Sequence, residues 1–430
     1  MLKNKIITLL ACTFSAFIVG NVYANSSEIS VKPVLVLPVP VQPAVAPVKQ
    51  KVAVLSMRRG GASTSAALAI KHQLASKYEV TIVNVFEDVF SSLDLTYKIS
   101  RGKYTGDDFF VGTCRVAGEW IANPLQSFGE FCLRMQDGRI TSLIEKFLRD
   151  GNYNMVISVV PFINYAMYKA ARVIGIPSMV MMLDIDANHW LNGMQKTEYA
   201  QFTFGLLHES TSLREKLIKN HVPGSCIKVV GLPLKQAFLR TADVPELKRE
   251  FSIPANKPVV MVMMGGEGSP GTWLYARALA QSPIALHACI LTGRDEGMRN
   301  KINALKLKEG VTFTVAGFTD RISDYMAVAD LLITKPGPLT IFEAICRRVP
   351  MIIDHTGTTR ERDIPAINFV VHHSFGMELR DIKKLPHLLH CFLQDTSFSA
   401  VIKQTMEKYT LPKGAENIEQ IVDSMLMAKK

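Results

Sequence analysis

The chain has 430 residues, more than one compact core usually holds and enough for two ordinary domains. With 48% apolar and 20% charged residues, it is neither disordered over most of its length, nor collagen-like, nor a disulfide scaffold. Its 49 Lys and Arg against 38 Asp and Glu leave a net charge of +11, which favours anionic partners (phosphates, acidic lipid headgroups, nucleic acid) without choosing among them.

Residues 1–24 read as an export signal. Lys3 and Lys5 precede an apolar run over 6–20, and Val22-Tyr23-Ala24 puts small residues where a signal peptidase cuts. The expected location is therefore periplasmic or outside the producing cell. The alternative is an uncleaved N-terminal anchor, although the run is shorter than the roughly 20 residues that span a bilayer comfortably. Residues 25–50 form a Pro-rich linker; five prolines over 31–50 and almost no charge predict an extended tether. The seven cysteines, Cys12, Cys114, Cys132, Cys226, Cys289, Cys346 and Cys391, contain no CxxC pair and no zinc spacing. Cys289 and Cys346 sit in apolar runs and are expected to be buried free thiols. His387, His390 and Cys391 share a helical face without a matching partner set elsewhere, so no metal site is expected there.

From Lys51 onward, short β-rich runs alternate with helical patterns, the signature of parallel sheets built from βαβ units. Strands are predicted over 52–55, 80–85, 155–160, 177–182, 203–207 and 227–230. After Gly231-Leu232-Pro233 a second series follows over 259–264, 288–291, 312–316, 331–334 and 351–354. Helices are predicted over 64–77, 140–150, 164–173, 271–280, 298–306, 322–329 and 339–347. The expected organisation is an α/β chain with domains over 51–232 and 233–410 and a C-terminal helix over 411–430. Open α/β sheets bind ligands beyond the carboxyl ends of their strands, so the loops after these strands are where chemistry is sought.

Three such loops carry it. Ser56-Met57-Arg58-Arg59-Gly60-Gly61-Ala62-Ser63 leads into the helix predicted at Thr64, and glycines before a helix N-terminus suit an anion. The alternative is a tight turn capped by Ser63 or Thr64. Gly265-Gly266-Glu267-Gly268-Ser269-Pro270-Gly271 holds four glycines in seven residues, more than a turn requires and suited to a phosphate cradle. Lys335-Pro336-Gly337-Pro338-Leu339-Thr340-Ile341-Phe342-Glu343 supplies a rigid loop, a hydroxyl, a helix N-terminus and a carboxylate one turn in. That carboxylate can accept both hydroxyls of a ribose, or simply complement the helix dipole.

Across residues 51–410, the segments KVAVLSMRRGGASTSAALAIKHQL, VVMVMMGGEGSPG, CILTGR, VTFTVAGFTDRISDYMAVADLLITKPGPLTIFEAICRRVPMII and FVVHHSFG resemble the monogalactosyldiacylglycerol synthase branch of the family 28 glycosyltransferases. More distantly they resemble the peptidoglycan lipid-intermediate GlcNAc transferase. The resemblance implies a GT-B fold: two Rossmann-like domains facing across a cleft, the second holding a UDP-sugar and the first a lipid acceptor such as diacylglycerol, with inversion at the anomeric carbon. It implies neither a dinucleotide cofactor nor a required metal. It puts Gly265, Gly266, Glu267 and Gly268 around the nucleotide-sugar, Gly317 and Phe318 at the uracil, Pro338 and Thr340 at the diphosphate, Glu343 at the ribose, and Gly293 and Arg294 on the nucleotide side.

The chain departs from the family pattern on the acceptor side. Where the family carries GGGH, this chain has Gly60-Gly61-Ala62-Ser63, with Arg58 replacing an acidic residue. Inverting transfer needs a base for the acceptor hydroxyl, and serine is not a base near neutral pH. Besides Ser63 itself, Asp186 and His189 in MLDIDANHW are the candidates for that role. Trp190 resembles a family tryptophan near the acceptor and is a candidate contact for a lipid headgroup, or else a partly buried aromatic. The family's GQE-type segment falls on Glu361-Arg362-Asp363, where Asp363 keeps the carboxylate that holds donor-sugar hydroxyls and Arg362 replaces Gln. An aromatic-rich stretch over 109–132 behind Lys98, Arg101 and Lys103 suggests affinity for an anionic membrane surface. Nucleic acid is not an expected partner, because the chain has no RNP-type interleaving, zinc finger or concentrated basic run. These departures leave two further readings: a catalytically impaired GT-B protein that binds nucleotide or lipid without turnover, and a UDP-sugar epimerase on the same fold.

Overall fold

The structure, a computed structural model, describes residues 49–57, 61–93, 100–101, 103, 136–191, 193–195, 198–357 and 363–427. The export signal, the tether up to residue 48, the aromatic-rich stretch over 109–132, Arg58, Gly60 and Arg362 lie outside these residues.

Among the described residues, two six-stranded sheets organise the chain. The first contains β1 (Lys51–Ser56), β2 (Glu79–Asn84), β3 (Met155–Ser158), β4 (Ser178–Met181), β5 (Phe202–Leu206) and β6 (Ile227–Val229), in the order β2-β1-β3-β4-β5-β6. The second contains β7 (Val259–Met263), β8 (Leu286–Leu291), β9 (Val311–Ala316), β10 (Leu331–Thr334), β11 (Met351–Asp354) and β12 (Gly376–Leu379), in the order β12-β11-β10-β7-β8-β9. Every pairing is parallel; Val54, for example, lies between Ile82 and Ile157, and Ile333 between Val262 and Ile352. Central strands such as Val259–Met263 are buried along their whole length, as apolar runs covered by helices on both faces must be.

In each sheet the chain starts near the middle, winds outward, and returns to the other side. The strand order therefore reverses between β1 and β3 in the first sheet and between β7 and β10 in the second. At such a point the loops beyond the strand ends splay to opposite faces and leave a crevice for a ligand. The Gly60–Ser63 and Gly265–Gly271 segments and the Lys335 loop all follow strands that flank a reversal.

Most predicted strands match to within a residue or two. Helix α1 (Gly61–Leu74) begins three residues before the predicted start at Thr64, so Ser63 is a first-turn residue and not the cap. Strand β12 is absent from the predicted series; it is four residues long at the sheet edge, with Met377 exposed, and lacks a continuous apolar run. The last helix, α14 (Gly414–Met427), packs back onto the first half. Glu419 and Asp423 face Gln73, Lys77 and Tyr78 of and after α1, with Lys77 Nζ 2.6 Å from Glu419 and 2.7 Å from Asp423, and Tyr78 Oη 2.6 Å from Asp423. Asn417 also donates to the Val230 carbonyl (2.8 Å), so the two crossings between halves lie side by side. Among the described residues, no helix is long and apolar enough to cross a membrane.

Candidate functional site

In the second half, the loops after β7, β8, β9 and β10 meet. Gly265 has φ +101°, a conformation that strains any side chain, and a Cβ there would come within 2.9 Å of Lys335 Nζ. Gly293 has φ +62°, and a Cβ there would strike the Gly266 carbonyl. Sequence spacing alone did not show why Gly293 is needed; the reason is this backbone approach. The Arg294 N–H donates to that same carbonyl (2.9 Å), and the Arg294 guanidinium donates to Glu267 (2.5 Å) while stacking 3.9 Å above the Phe318 ring. Phe318 is 59% exposed and lies beside Gly266. A cavity of about 580 Å³ opens here, lined by Gly293, Arg294, Arg299, Gly317 and Phe318 among others. Its flat aromatic lip and guanidinium suit a planar, polar ring.

Helix α7 (Pro270–Ala280) starts at the glycine loop, capped by Ser269, whose hydroxyl accepts from Gly271 (3.3 Å). Opposite it, α10 (Pro338–Arg347) starts with Pro338 after a Gly337 cap. Pro338 has no N–H, and the backbone N–H groups of Leu339 and Thr340 lie in the first turn, where no intrahelical acceptor exists. Glu343 follows on this helix, only 4% exposed. Its carboxyl has no hydrogen-bond or ion-pair partner among the described residues. Burial pushes it up to about 8, partly opposed by Lys235. A buried carboxyl with nothing to accept from is costly unless a ligand supplies the donors. Asp363 precedes α11 (Ile364–His372), half-buried.

The first half is arranged differently. Ser63 is 4% exposed; its hydroxyl lies 3.1 Å from that of Ser56 and accepts from the Met57 N–H (3.2 Å), while Thr64 donates to the Met57 carbonyl (3.0 Å). The hydroxyl is thus part of the turn that joins β1 to α1. Asp186 accepts from Lys216 (2.5 Å) and from the Ala187 N–H (2.8 Å). His189 is half-buried, edge-on to Phe162 with ring centroids 5.8 Å apart. Trp190, read as a headgroup contact or else a partly buried aromatic, is only 2% exposed. Its indole N–H donates to Asp184 (2.7 Å), so here the bulk of the ring serves the core. Burial raises the Asp184 carboxyl, with the Trp190 bond and His189 opposing. Sequence reasoning passed over Asp184 in favour of Asp186, two residues on; its place just past β4 was the available signal.

Cys226 and Cys289 are buried free thiols, and Cys346 and Cys391 are half-buried and free. Among the described residues, no group of three or more His, Cys, Asp or Glu side chains could hold a metal ion.

Comparison with known proteins bears on both halves. Residues 275–408 match the glycosyltransferase family 28 C-terminal domain. Over 358 residues the chain is 24% identical to monogalactosyldiacylglycerol synthase 1 of Arabidopsis thaliana, covering 79% of this chain and 64% of the plant protein. Over 182 residues it is 29% identical to the processive diacylglycerol beta-glucosyltransferase of Staphylococcus epidermidis strain RP62A, covering 42% of this chain and 44% of that one. The chain thus spans less than two thirds of the length of these relatives. Among solved structures, MurG of Acinetobacter baumannii superposes with a TM-score of 0.57 at 13% identity, covering 87% of this chain and 99% of that one. Anabaena HepE in complex with UDP-glucose superposes with a TM-score of 0.53 at 15% identity, covering 88% of this chain and all of that one. The resemblance read from the sequence holds, and the architecture is that of the GT-B glycosyltransferases.

Proposed function

We propose that this protein is a glycosyltransferase that moves a hexose from a UDP-sugar to a lipid acceptor such as diacylglycerol, with inversion at the anomeric carbon. The observation that carries this reading is Glu343: a buried carboxyl, unpartnered among the described residues, one turn into the helix that follows β10 at the reversal point of the second sheet. The names of the relatives, a galactolipid synthase and a diacylglycerol glucosyltransferase, supply the acceptor class. A neighbour of the same fold holds UDP-glucose.

In this reading Glu343 accepts from the two ribose hydroxyls, and the uracil enters the cavity beside Phe318 and Arg294. The diphosphate sits at the start of α10, where Leu339 and Thr340 present N–H groups and Lys335 adds a positive charge. The acceptor hydroxyl attacks the anomeric carbon, the bond from that carbon to the UDP oxygen breaks, and its electron pair leaves with UDP. The helix N-terminus stabilises that developing charge. The acceptor proton must pass to a base. Ser63 cannot be it, being no base near neutral pH and already bound in the turn; Asp186 and His189 remain in the proposal, as do Gly61 and Gly60 as the acceptor-side loop. The proposal includes no dinucleotide and no resident metal. It extends to export by residues 1–24 and an anionic membrane surface as the acceptor's source, both resting on the sequence alone; sequencing the N-terminus of the purified protein tests the first.

Full-length protein incubated with UDP-galactose or UDP-glucose and diacylglycerol vesicles is expected to yield glycolipid and an equal amount of free UDP. The bound Ser63 hydroxyl also favours a second reading, a GT-B protein that binds nucleotide without turnover. UDP binding in the absence of any glycolipid with either donor would favour that reading over transfer.

A further inference from the structure

The seam between the two halves holds a second cavity, of about 390 Å³. The first half lines it with Asp186, His208 and Lys216, the second with Asn368, Phe369 and His373. His208 lies two residues past the buried end of β5, in the region beyond a strand's carboxyl end where ligand contacts concentrate. It is 93% buried, at 7% exposure, and its ring packs on Phe369 with centroids 4.7 Å apart. Its Nδ1 lies 3.0 Å from the Glu209 carbonyl, which can only accept, so the neutral ring carries its hydrogen there. Nε2 is left as an acceptor, buried and without a partner among the described residues. Burial lowers the basicity of this ring and so keeps it neutral near neutral pH.

His373 repeats the pattern across the seam. Its Nδ1 lies 2.9 Å from the Phe369 carbonyl, so in the neutral ring its Nε2 too is an acceptor, and its ring flanks Phe369 at 4.4 Å. These ring nitrogens sit in a cavity that is also lined by the Ser210 and Ser212 hydroxyls and the Asn368 amide, which can donate as well as accept, while the Asp186 carboxylate is already paired with Lys216. A lining of neutral donors and acceptors, with its one acid already paired and an acceptor left open on His208, suits groups that both donate and accept, as alcohols do and anions do not.

We propose that this cavity binds the hydroxyl groups of a neutral sugar or glycerol moiety, one of which donates to Nε2 of His208. The inference deepens the glycosyl-transfer reading and rests on it for the identity of the ligand, since both a hexose donor and a diacylglycerol acceptor bring such hydroxyls.

The test uses full-length protein labelled with ¹⁵N-histidine, following the His208 Nε2 resonance, assigned by its loss in His208→Gln. The protein is titrated separately with UDP, UDP-galactose, dioctanoylglycerol in micelles, and glycerol. Movement with UDP-galactose but not UDP assigns the cavity to the donor's sugar; movement with dioctanoylglycerol assigns it to the acceptor. A resonance unmoved by all four overturns the proposal. If UDP and UDP-galactose both fail to bind calorimetrically, the nucleotide reading fails, and the dioctanoylglycerol and glycerol titrations still decide this proposal in the same way. As a second readout, His208→Phe keeps the packing on Phe369 but removes the acceptor. It is expected to weaken the responding ligand about tenfold, while His208→Gln, which keeps an acceptor, stays within about threefold of wild type. Equal affinity in all three proteins would also overturn the proposal.

Discussion

The strand-end loops of the two halves contain similar residue types but use them differently. In the first half the described polar groups of the loops after β1 and β4 are already engaged: Ser63 with Ser56 and Met57, Asp184 with Trp190, and Asp186 with Lys216. In the second half the groups nearest the reversal point are not, since Glu343 has no partner among the described residues and the first-turn N–H groups of Leu339 and Thr340 have no intrahelical acceptor. The loops after β1 and β4 are held by their own contacts, whereas the loops after β7 and β10 are organised around something to be bound. The difference teaches that glycine-rich spacing after a strand does not identify a ligand site; what identifies one is a polar group left unsatisfied once the loop has folded.

Glu343→Ala tests the contrast most severely. Loss of two hydrogen bonds to a charged acceptor is expected to weaken UDP by roughly a hundredfold or more, read by calorimetry. A change below about threefold would remove Glu343 from the nucleotide site. Next in size is Gly293→Val. Its left-handed φ and the clash with Gly266 should cost on the order of 2 kcal/mol or more, seen as a lower thermal midpoint together with weaker UDP binding. An unchanged midpoint would show that the loop relaxes freely.

The pH dependence follows from the carboxyl that burial has pushed up to about 8. Folding holds this proton more tightly than the unfolded chain does, so Glu343 lowers stability progressively as pH rises from about 4.5, its ordinary value, to about 8, and no further above that. Glu343→Gln should flatten that decline. Ribose hydroxyls favour the charged form, so UDP binding should release a proton, and affinity should rise by up to about tenfold per pH unit below pH 8. Smallest is Ser63→Ala, which removes a turn contact worth about 1 kcal/mol and should leave turnover within about twofold of wild type. A large loss of turnover with stability kept would return Ser63 to the chemistry.

Much of this was legible in the sequence. The continuous apolar runs of buried parallel strands mark eleven of the twelve described strands, and the glycine and proline clusters after β7 and β10 mark the loops that flank the second reversal. What stayed hidden depended on partners distant in the chain. Nothing local says that Trp190 turns inward to Asp184, that Gly293 must clear the Gly266 carbonyl, or that His208 meets Phe369 more than 150 residues away. β12 was missed because half of its four residues are at least partly exposed at an edge, where the apolar signal thins out.

The most direct measurement is a calorimetric titration of the full-length protein with UDP at pH 7, in two buffers of different ionisation enthalpy. Binding of one UDP per chain with net proton release, abolished in Glu343→Ala, is the predicted result. No binding at pH 7 or pH 8 would contradict both the transferase reading and the nucleotide-binding alternative.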